Sequence, residues 1–447
     1  MKDTIVAPIT APGTAAVAVV RLSGDRAREI AQSAFSARLK NRVSVYGALL
    51  DEEGRVLDRA LCVLFEGPGS YTGEDVVELS LHGSPLLVRE AVALFCARGA
   101  RLAGRGEFTR RAFLNGKLDL TAAEGVMEVI DAATPAELRA AASHLGGRTF
   151  SELSELRAAL LSVSARLCAF VDYPDDDIGD YPPAELSADL AALWERARNL
   201  TERARRGEAL HRGMRAVLCG KPNAGKSSLL NALLRRDRAI VTDLPGTTRD
   251  VVSETLVLGN AKIELCDTAG LRPTDDPIER IGVEKSRELI ERSPLLLALF
   301  DTSRPLDEED EALLSLLDPA RTIALLTKCD LPCVVNKEYI SSRFRQTVEL
   351  SLPEERGLRE LEVILEERAT GGEAPDESLI FSMRQGECLR RLERALSEAL
   401  RAARAGVTYD AVTVLIDEAA GAICELTGEA VSERVVDTIF EQFCVGK

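Results

Sequence analysis

The sequence predicts a multidomain chain of α/β plus all-α class: an N-terminal α/β domain, a central helical domain, and a second α/β domain inserted into the helical one. Three observations predict it. Short β-branched runs with Gly- and Pro-containing turns fill residues 1 to about 117 and then stop. Long Ala-, Leu-, Glu- and Arg-rich stretches with helical spacing follow, and return at the C-terminal end. Between them, residues 211 to about 372 alternate compact apolar strands with helices, the pattern of a parallel sheet with helical crossovers. The expected domains are therefore 1–117, 118–210, 211–372 and 373–447, the second and fourth being two parts of one helical domain.

In the first domain, residues 16–22, 60–65 and 76–81 read as strands and 86–97 as a helix. From about 118, helical spacing covers 122–133, 135–171 and 183–206, with Gly146-Gly147 breaking or kinking the second stretch. The acidic segment 173–178 reads as a solvated interhelical turn. Strands are expected at 215–219, 262–266, 295–300 and 322–326. Residues 370–375 read as a linker, and helices at 379–405, 410–426 and 432–443 close the chain.

At 447 residues, each domain has enough chain for a proper core. A hydrophobic content of 46% with 29% charged residues is ordinary for a globular protein. Met1 to Val6 lacks the apolar core of a secretory signal, and no apolar run approaches a membrane span, so a cytoplasmic protein without membrane contact is expected. Ten cysteines without paired metal spacing read as reduced thiols, with Cys96, Cys168, Cys219 and Cys266 assigned to the core. Three histidines give little support to His-based metal or triad chemistry. A net charge of −16 argues against broad, non-specific nucleic-acid binding. Arginines at 203–215 and 390–404 could form local basic patches, but solvated helix faces explain them as well.

The sharpest motif is Gly220-Lys221-Pro222-Asn223-Ala224-Gly225-Lys226-Ser227, which fits G-x-x-x-x-G-K-[ST] between an apolar strand and a helix from Ser228. Gly220 and Gly225 let the backbone turn its N–H groups toward phosphate oxygens. Asn223, Ala224, Gly225, Lys226, Ser227 and Ser228 form the expected phosphate cradle, Lys226 meeting the β- and γ-phosphates and Ser227 ligating Mg²⁺. Asp267-Thr268-Ala269-Gly270 follows the next apolar strand, where a switch region reads the γ-phosphate. Between the two, Thr242 to Asp250 includes Thr248, the second hydroxyl expected on Mg²⁺. Thr327-Lys328-Cys329-Asp330 resembles the Asn-Lys-x-Asp element of GTPases. Lys328 and Asp330 are assigned to the base, because a carboxylate accepts from the guanine N1 and N2 hydrogens and adenine donates no such pair. Thr327 in place of Asn is expected to weaken a bracing hydrogen bond, and Leu350-Ser351-Leu352 is a poor match to the last guanine loop.

Leu271 stands where Ras-like proteins carry a water-orienting Gln. Either hydrolysis is slow or another group orients the water. Glu279 is one candidate, although its spacing also fits a surface carboxylate. Asn223 either braces the P-loop or, with carbonyls of residues 242–247, holds a monovalent cation. K⁺ there would put positive charge where an arginine finger is worth about 10³–10⁵ in rate. Arg249 reads as a surface or relay residue.

Outside the nucleotide motifs, four stretches are specific. They are Asp3 to Ala7 with Pro12-Gly13 and Val20 to Gly24; Ser70 to Leu79 with His82-Gly83; Gly106 to Leu120; and the end, Phe443-Cys444-Val445-Gly446-Lys447. With these the whole chain resembles the MnmE (TrmE) family of tRNA-modifying GTPases. Gly13-Thr14-Ala15-Ala16 departs from a family opening that is usually richer in Arg and Gly.

The resemblance implies a tetrahydrofolate-binding and dimerising N-terminal domain and a Ras-like G domain. It implies K⁺-dependent G-domain dimerisation during GTP hydrolysis to GDP and phosphate. A family-like homodimer is expected, joined by an MnmG-like FAD protein into a heterotetramer, so that FAD enters only through the partner. The implied work is addition of a carboxymethylaminomethyl or aminomethyl group to C5 of the wobble uridine, position 34, of certain tRNAs. The one-carbon unit would come from 5,10-methylenetetrahydrofolate, with 5-formyltetrahydrofolate as analogue. By motif, the folate residues are Arg21, Glu78, Lys117 and Lys447. The K⁺ ligands are Asn223, Thr242, Leu244 and Thr247, partly through backbone carbonyls, and Glu279 fits the catalytic Glu. The folate set suits a pterin with a glutamate tail, which offers carboxylates to Arg21 and Lys117 and N–H donors to Glu78. Without the motif, each would read as a structural ion pair. Cys444 is either a functional thiol or a packing residue. The competing reading is a regulatory or ribosome-assembly switch without modification chemistry, which leaves the two ends of the chain unexplained.

Overall fold

The computed structural model describes residues 3–172, 181–236, 253–267, 289–372 and 382–447. The chain divides into two compact units. The first comprises Met1–Ile130, Ala142–Asn199 and Glu387–Lys447; the second comprises Asp131–Ala141 and Leu200–Gly386.

The first unit begins with a six-stranded sheet. Its strands are β1 (Ile5–Pro8), β2 (Ala15–Ser23), β3 (Val45–Leu50), β4 (Val56–Phe65), β5 (Val76–Gly83) and β6 (Arg101–Leu102), in the order β3-β4-β5-β2-β1-β6. Neighbours are antiparallel except β1 and β6. Alternation decides the faces. Val20, Leu22, Leu64, Val77 and Leu79 pack under helices α1 (Ala27–Ala34) and α2 (Pro85–Ala97), meeting Ile30, Leu94 and Phe95. Arg21 and Glu78 fall on the other face as direct cross-strand partners. Ser84 caps α2 by accepting from the Leu87 N–H, and Pro85 presets the first turn.

Helix α3 (Glu107–Leu114) follows, and then the strands stop, as expected. α4 (Leu120–Asp131), α5 (Pro135–Leu145), α6 (Arg148–Asp172) and α7 (Pro183–Arg212) replace the three helices read from periodicity, because the Gly146-Gly147 pair separates α5 from α6. Gly147 lies at φ 78, a conformation that ends a helix. α7 runs past 206 to Arg212 and stops at Gly213, φ 74. Its residues to Asn199 count in the first unit and the rest in the second.

The second unit holds the nucleotide sheet. β7 (Met214–Gly220), β8 (Ser253–Leu258), β9 (Ala261–Asp267), β10 (Leu295–Asp301), β11 (Thr322–Thr327) and β12 (Gln346–Glu349) lie in the order β12-β11-β10-β7-β9-β8. All pairs are parallel except β8 with β9. Between or after them come α8 (Lys226–Arg236), α9 (Glu308–Leu316), α10 (Lys337–Ser341) and α11 (Leu358–Thr370). β10 is buried along its whole length, because both faces are covered. Leu295, Leu297 and Leu299 enter one core with Leu229 and Leu361, while Leu296, Ala298 and Phe300 enter the other with Leu314 and Ile340.

The last helices are α12 (Met383–Arg404), α13 (Tyr409–Thr427) and α14 (Glu433–Glu441). Within the first unit, α13 meets α6 through Ser164–Asp417, Arg157 of α6 pairs with Glu429 just past α13, and the Tyr409 hydroxyl donates to the Tyr181 carbonyl at 2.9 Å. α14 meets α3 through Arg110–Asp437 at 2.9 Å and through Phe113 and Phe440. All ten cysteines are free. Cys219 and Cys266 are buried as read from the sequence, but Cys168 is exposed on α6, a correction to its assignment to the core. A long amphipathic helix carries apolar residues at the edge of its stripe, and periodicity does not separate edge from centre. No described helix is long and apolar enough to cross a membrane.

Candidate functional site

The carboxyl ends of β7, β10 and β11 gather one set of sequence-predicted residues, the place where open α/β sheets bind ligands. β7 ends at Gly220, φ 146, where a Cβ would lie 2.7 Å from the Leu299 carbonyl. Asn223, at φ 64, and Gly225, at φ 102, complete a loop that ordinary residues resist. Lys226 is the first helical residue of α8, two earlier than expected, and its ammonium donates to the carbonyls of Gly220 at 2.6 Å and Lys221 at 2.8 Å. Ser227 and Ser228 stand exposed in the first turn, at the positive end of the helix. This arrangement is a cradle for a phosphate chain, with the lysine parked on loop carbonyls beside it. Lys221 pairs with Asp307, the cap of α9, and with Glu309 at 3.0 Å.

The loop expected to read the base leaves the end of β11. Lys328, at φ 58, donates to Asp301 at 2.7 Å. Burial raises the Asp301 pKa, but the Lys328 ammonium and the Ser303 hydroxyl and N–H outweigh it, so the carboxyl titrates below its ordinary range. The exposed Asp330 accepts from the Ser351 hydroxyl at 3.0 Å. Thr327 is buried, and its hydroxyl lies 2.8 Å from the Ala224 carbonyl and 3.2 Å from that of Phe300. The Thr327 hydroxyl thus ties the loop after β11 to the P-loop. Ser351 was not singled out by sequence. The one signal in the sequence is the Ser of Leu350-Ser351-Leu352, whose neighbours do not fit the guanine loop.

Asp267 closes β9 at the same sheet edge. Thr242, Leu244, Thr247, Thr248, Thr268, Ala269, Gly270, Leu271 and Glu279 lie outside the described residues, as do Arg249 and the acidic segment 173–178. The Cys329 and Cys333 thiols donate to the carbonyls of Leu326 and Val335.

The second set lies in the first unit. Arg21 Nη2 meets Glu78 Oε1 at 2.7 Å, and Nε donates to the same oxygen at 2.8 Å. The guanidinium carbon stands 5.0 Å from the Tyr71 ring centre and 5.5 Å from that of Phe108. Arg21 keeps 14% of its side chain exposed and Glu78 27%, so the pair is reachable and not sealed. Tyr71 is fixed by the Thr109 hydroxyl at 2.8 Å. A planar cation beside two rings and a carboxylate offers a flat heterocycle both stacking and hydrogen bonds.

The end of the chain docks on α3, near that pair. The Gly106 N–H donates to the Cys444 carbonyl at 3.3 Å and the Phe108 N–H to a Lys447 oxygen at 3.0 Å. Tail oxygens thereby satisfy N–H groups of the first turn of α3. Gly446, φ 100, allows the approach, since a Cβ would lie 2.2 Å from the Pro8 carbonyl. Lys447 thus stands beside Phe108, one of the rings around Arg21, while the Cys444 side chain is exposed. Lys117 Nζ donates to the Pro68 carbonyl at 3.0 Å, on the loop that also carries Tyr71. The Tyr71 and Phe108 rings were not named from sequence, because ring placement over Arg21 depends on the loop and α3 folding onto the sheet.

Residues 120–444 match the family model described as the MnmE helical domain, and residues 4–117 match the model for the N-terminus of GTP-binding protein TrmE. A relative from Thermotoga maritima, named tRNA modification GTPase MnmE, is 39% identical over 452 residues, covering 100% of this chain and 100% of its own. One of the same name from Heliobacterium modesticaldum is 39% identical over 466 residues, covering 100% of this chain and 99% of its own. Among solved structures, Aquifex aeolicus Era is 26% identical over 41% of this chain and 66% of its own, with a TM-score of 0.29.

Proposed function

The chain belongs to the MnmE family of tRNA modification GTPases, and we propose that it is a K⁺-activated member that modifies C5 of the wobble uridine with a tetrahydrofolate one-carbon unit. Its enzymatic activity is GTP hydrolysis in tRNA modification. The proposed product carries a carboxymethylaminomethyl or aminomethyl group at position 34 of certain tRNAs. The proposed partner is an MnmG-like FAD protein in a heterotetramer, and the compartment is the cytoplasm, where tRNA is modified.

The proposed hydrolytic site follows from the residues at the ends of β7 and β11. The P-loop N–H groups and Lys226 bind the triphosphate, Lys226 exchanging the Gly220 and Lys221 carbonyls for phosphate oxygens. Asp330, oriented by Ser351, accepts from guanine N1 and N2. Ser227 and Thr248 would hold Mg²⁺, and the exposed hydroxyl of Ser227 at the start of α8 fits that role. Bound there, the ion neutralises charge on the phosphates. Asn223, with its side chain exposed on the loop at φ 64, fits a K⁺ ligand, joined in this reading by Thr242, Leu244 and Thr247. Glu279 is assigned the orienting of the attacking water that Leu271 has no group to perform.

One observation carries the folate half of the proposal: the Arg21–Glu78 pair, flanked by two rings, has the Lys447 tail docked on the helix that supplies one of them. A GTPase acting only as a switch has no use for that construction. Arg21, Glu78, Lys117 and Lys447 are therefore assigned to the folate, with 5,10-methylenetetrahydrofolate as donor. Cys444, exposed on the same tail, is proposed as a thiol near the one-carbon unit.

A homodimer through the N-terminal domain is proposed on one further feature. The sheet face opposite α1 and α2 leaves Tyr46 and Leu61 exposed as cross-strand partners on β3 and β4, and Val17 exposed on β2, apolar side chains of the kind a second copy covers. Titration of 5-formyltetrahydrofolate into the full chain tests the folate reading. Saturable binding that is lost in Arg21→Ala supports it, and absence of binding to the intact chain contradicts it.

A further inference from the structure

Among the described residues, Arg42 and Lys117 pair with no carboxylate, yet backbone carbonyls of one loop hold both. Arg42 Nη2 donates to the Gly69 carbonyl at 2.6 Å, and Lys117 Nζ donates to the Pro68 carbonyl at 3.0 Å. Their acceptors belong to consecutive residues of one loop, so two charged heads converge on one short stretch of backbone. Several nearby arginines pair with carboxylates instead. Arg28 pairs with Glu66 at 2.8 Å, Arg26 with Glu29 at 2.9 Å, and Arg101 with Asp3 at 2.6 Å and Glu107 at 2.7 Å.

The acids of the loop are already engaged. Glu66 holds Arg28, the Asp75 carboxylate accepts from the Gly67 N–H at 2.9 Å, and the buried Glu74 accepts from Arg111 and Ser23. Arg42 is also fixed at its backbone, with φ 57 and its N–H donating to the Leu64 carbonyl at 2.7 Å. Both side chains are exposed. Two solvent-facing cations, each held by its own carbonyl on adjacent residues, suit a chain of anions better than a single buried one. A carbonyl directs each cation while leaving its other donors free.

The loop identifies the anion. Two residues after Gly69, the same loop places Tyr71 against Arg21, where the proposed folate pterin binds. A folate ends in glutamate, and folates in cells carry further glutamates through γ-linkages, each adding one α-carboxylate. We propose that Arg42 and Lys117 form a subsite for this γ-glutamyl chain, so that the protein prefers polyglutamylated tetrahydrofolate. The inference rests on the folate reading of Arg21 and Glu78 and adds Arg42, which that reading does not contain.

The test is titration of the full chain with 5-formyltetrahydrofolate bearing one, three or five glutamates. The expected result is binding about five-fold tighter for the triglutamate than for the monoglutamate, as two added exposed charge contacts give. The gain shrinks between about 0.05 M and about 0.5 M salt, since exposed pairs are screened. In Arg42→Gln the ratio falls toward one, and Arg42→Lys restores part of it. Equal affinity for all three lengths overturns the subsite. Failure of every form to bind, the monoglutamate included, overturns the folate reading and the subsite with it.

Discussion

At the residue scale, Thr327 joins the two ends of the nucleotide site with one hydroxyl. It is buried, and the Ala224 and Phe300 carbonyls it serves are on the P-loop and on β10. Thr327→Val keeps the shape and removes the donor, leaving the buried carbonyls short of a partner, at about 1–3 kcal/mol. The expected outcome is a GDP affinity lower by about ten-fold, read by nucleotide titration, together with a lower unfolding midpoint. An unchanged affinity contradicts the bracing role. Asp330 makes a second prediction. Asp330→Asn replaces one acceptor by a donor, which suits the xanthine C2 carbonyl and rejects the guanine N2 amine. Competition between GTP and XTP should invert in the variant, and retained preference for GTP contradicts the assignment. The residue scale is also where legibility was uneven. The fixed spacing of Gly220 to Ser227 made the cradle readable, whereas Ser351 meets Asp330 across 21 positions and only folding pairs them.

At the element scale, the end of the chain behaves as part of α3. Tail oxygens from Cys444 and Lys447 receive N–H groups of the first turn of that helix, and Gly446 fits only because it lacks a Cβ. Gly446→Ala meets the Pro8 carbonyl and forces an L residue into φ 100. The tail should lift, and the affinity for 5-formyltetrahydrofolate should fall about ten-fold or more, since about 1–2 kcal/mol of strain is unavoidable. GTP turnover, measured in parallel, should hold, and equal loss of both activities contradicts a local role. A second element, α5, depends on Glu137, which accepts from the Ala133 and Thr134 N–H groups and from His211. Burial raises its pKa, but His211 and those N–H groups outweigh it, so it lies below the ordinary 4.5. A depressed carboxylate contributes stability above its unfolded pKa and loses it as pH falls through the folded value. The unfolding midpoint of the native chain should exceed that of Glu137→Gln at pH 7, and the gap should close as pH falls well below 4.5. A gap constant with pH contradicts the assignment. Long helices and central strands were legible here because they repeat. β1, β3 and β12 were not, being of four, six and four residues with little alternation to read. The antiparallel course of β8 leaves no mark in its composition.

At the scale of the whole molecule, a GTPase sheet and the site proposed for folate share one chain, and residues near both ends of the chain contribute to the second. Composition switches at about 118, 211 and 373, each switch marking a change from strands to helices or back, whereas the two compact units divide at 130, 141, 199 and 386. The docking of the last residues on α3 was not legible, since nothing local in Cys444 to Lys447 tells where a tail lies. If Asn223 is a K⁺ ligand, GTP turnover should drop by at least about ten-fold when Na⁺ replaces K⁺, and equal rates in the two salts contradict the cation assignment. The central claim is that hydrolysis serves folate-dependent chemistry on tRNA. Nucleoside analysis of bulk tRNA from cells with and without this protein tests it most directly. The account predicts that the C5-carboxymethylaminomethyl or aminomethyl nucleoside disappears without the protein and returns with the native chain but not with Arg21→Ala; persistence of the modified nucleoside in cells lacking the protein would contradict it.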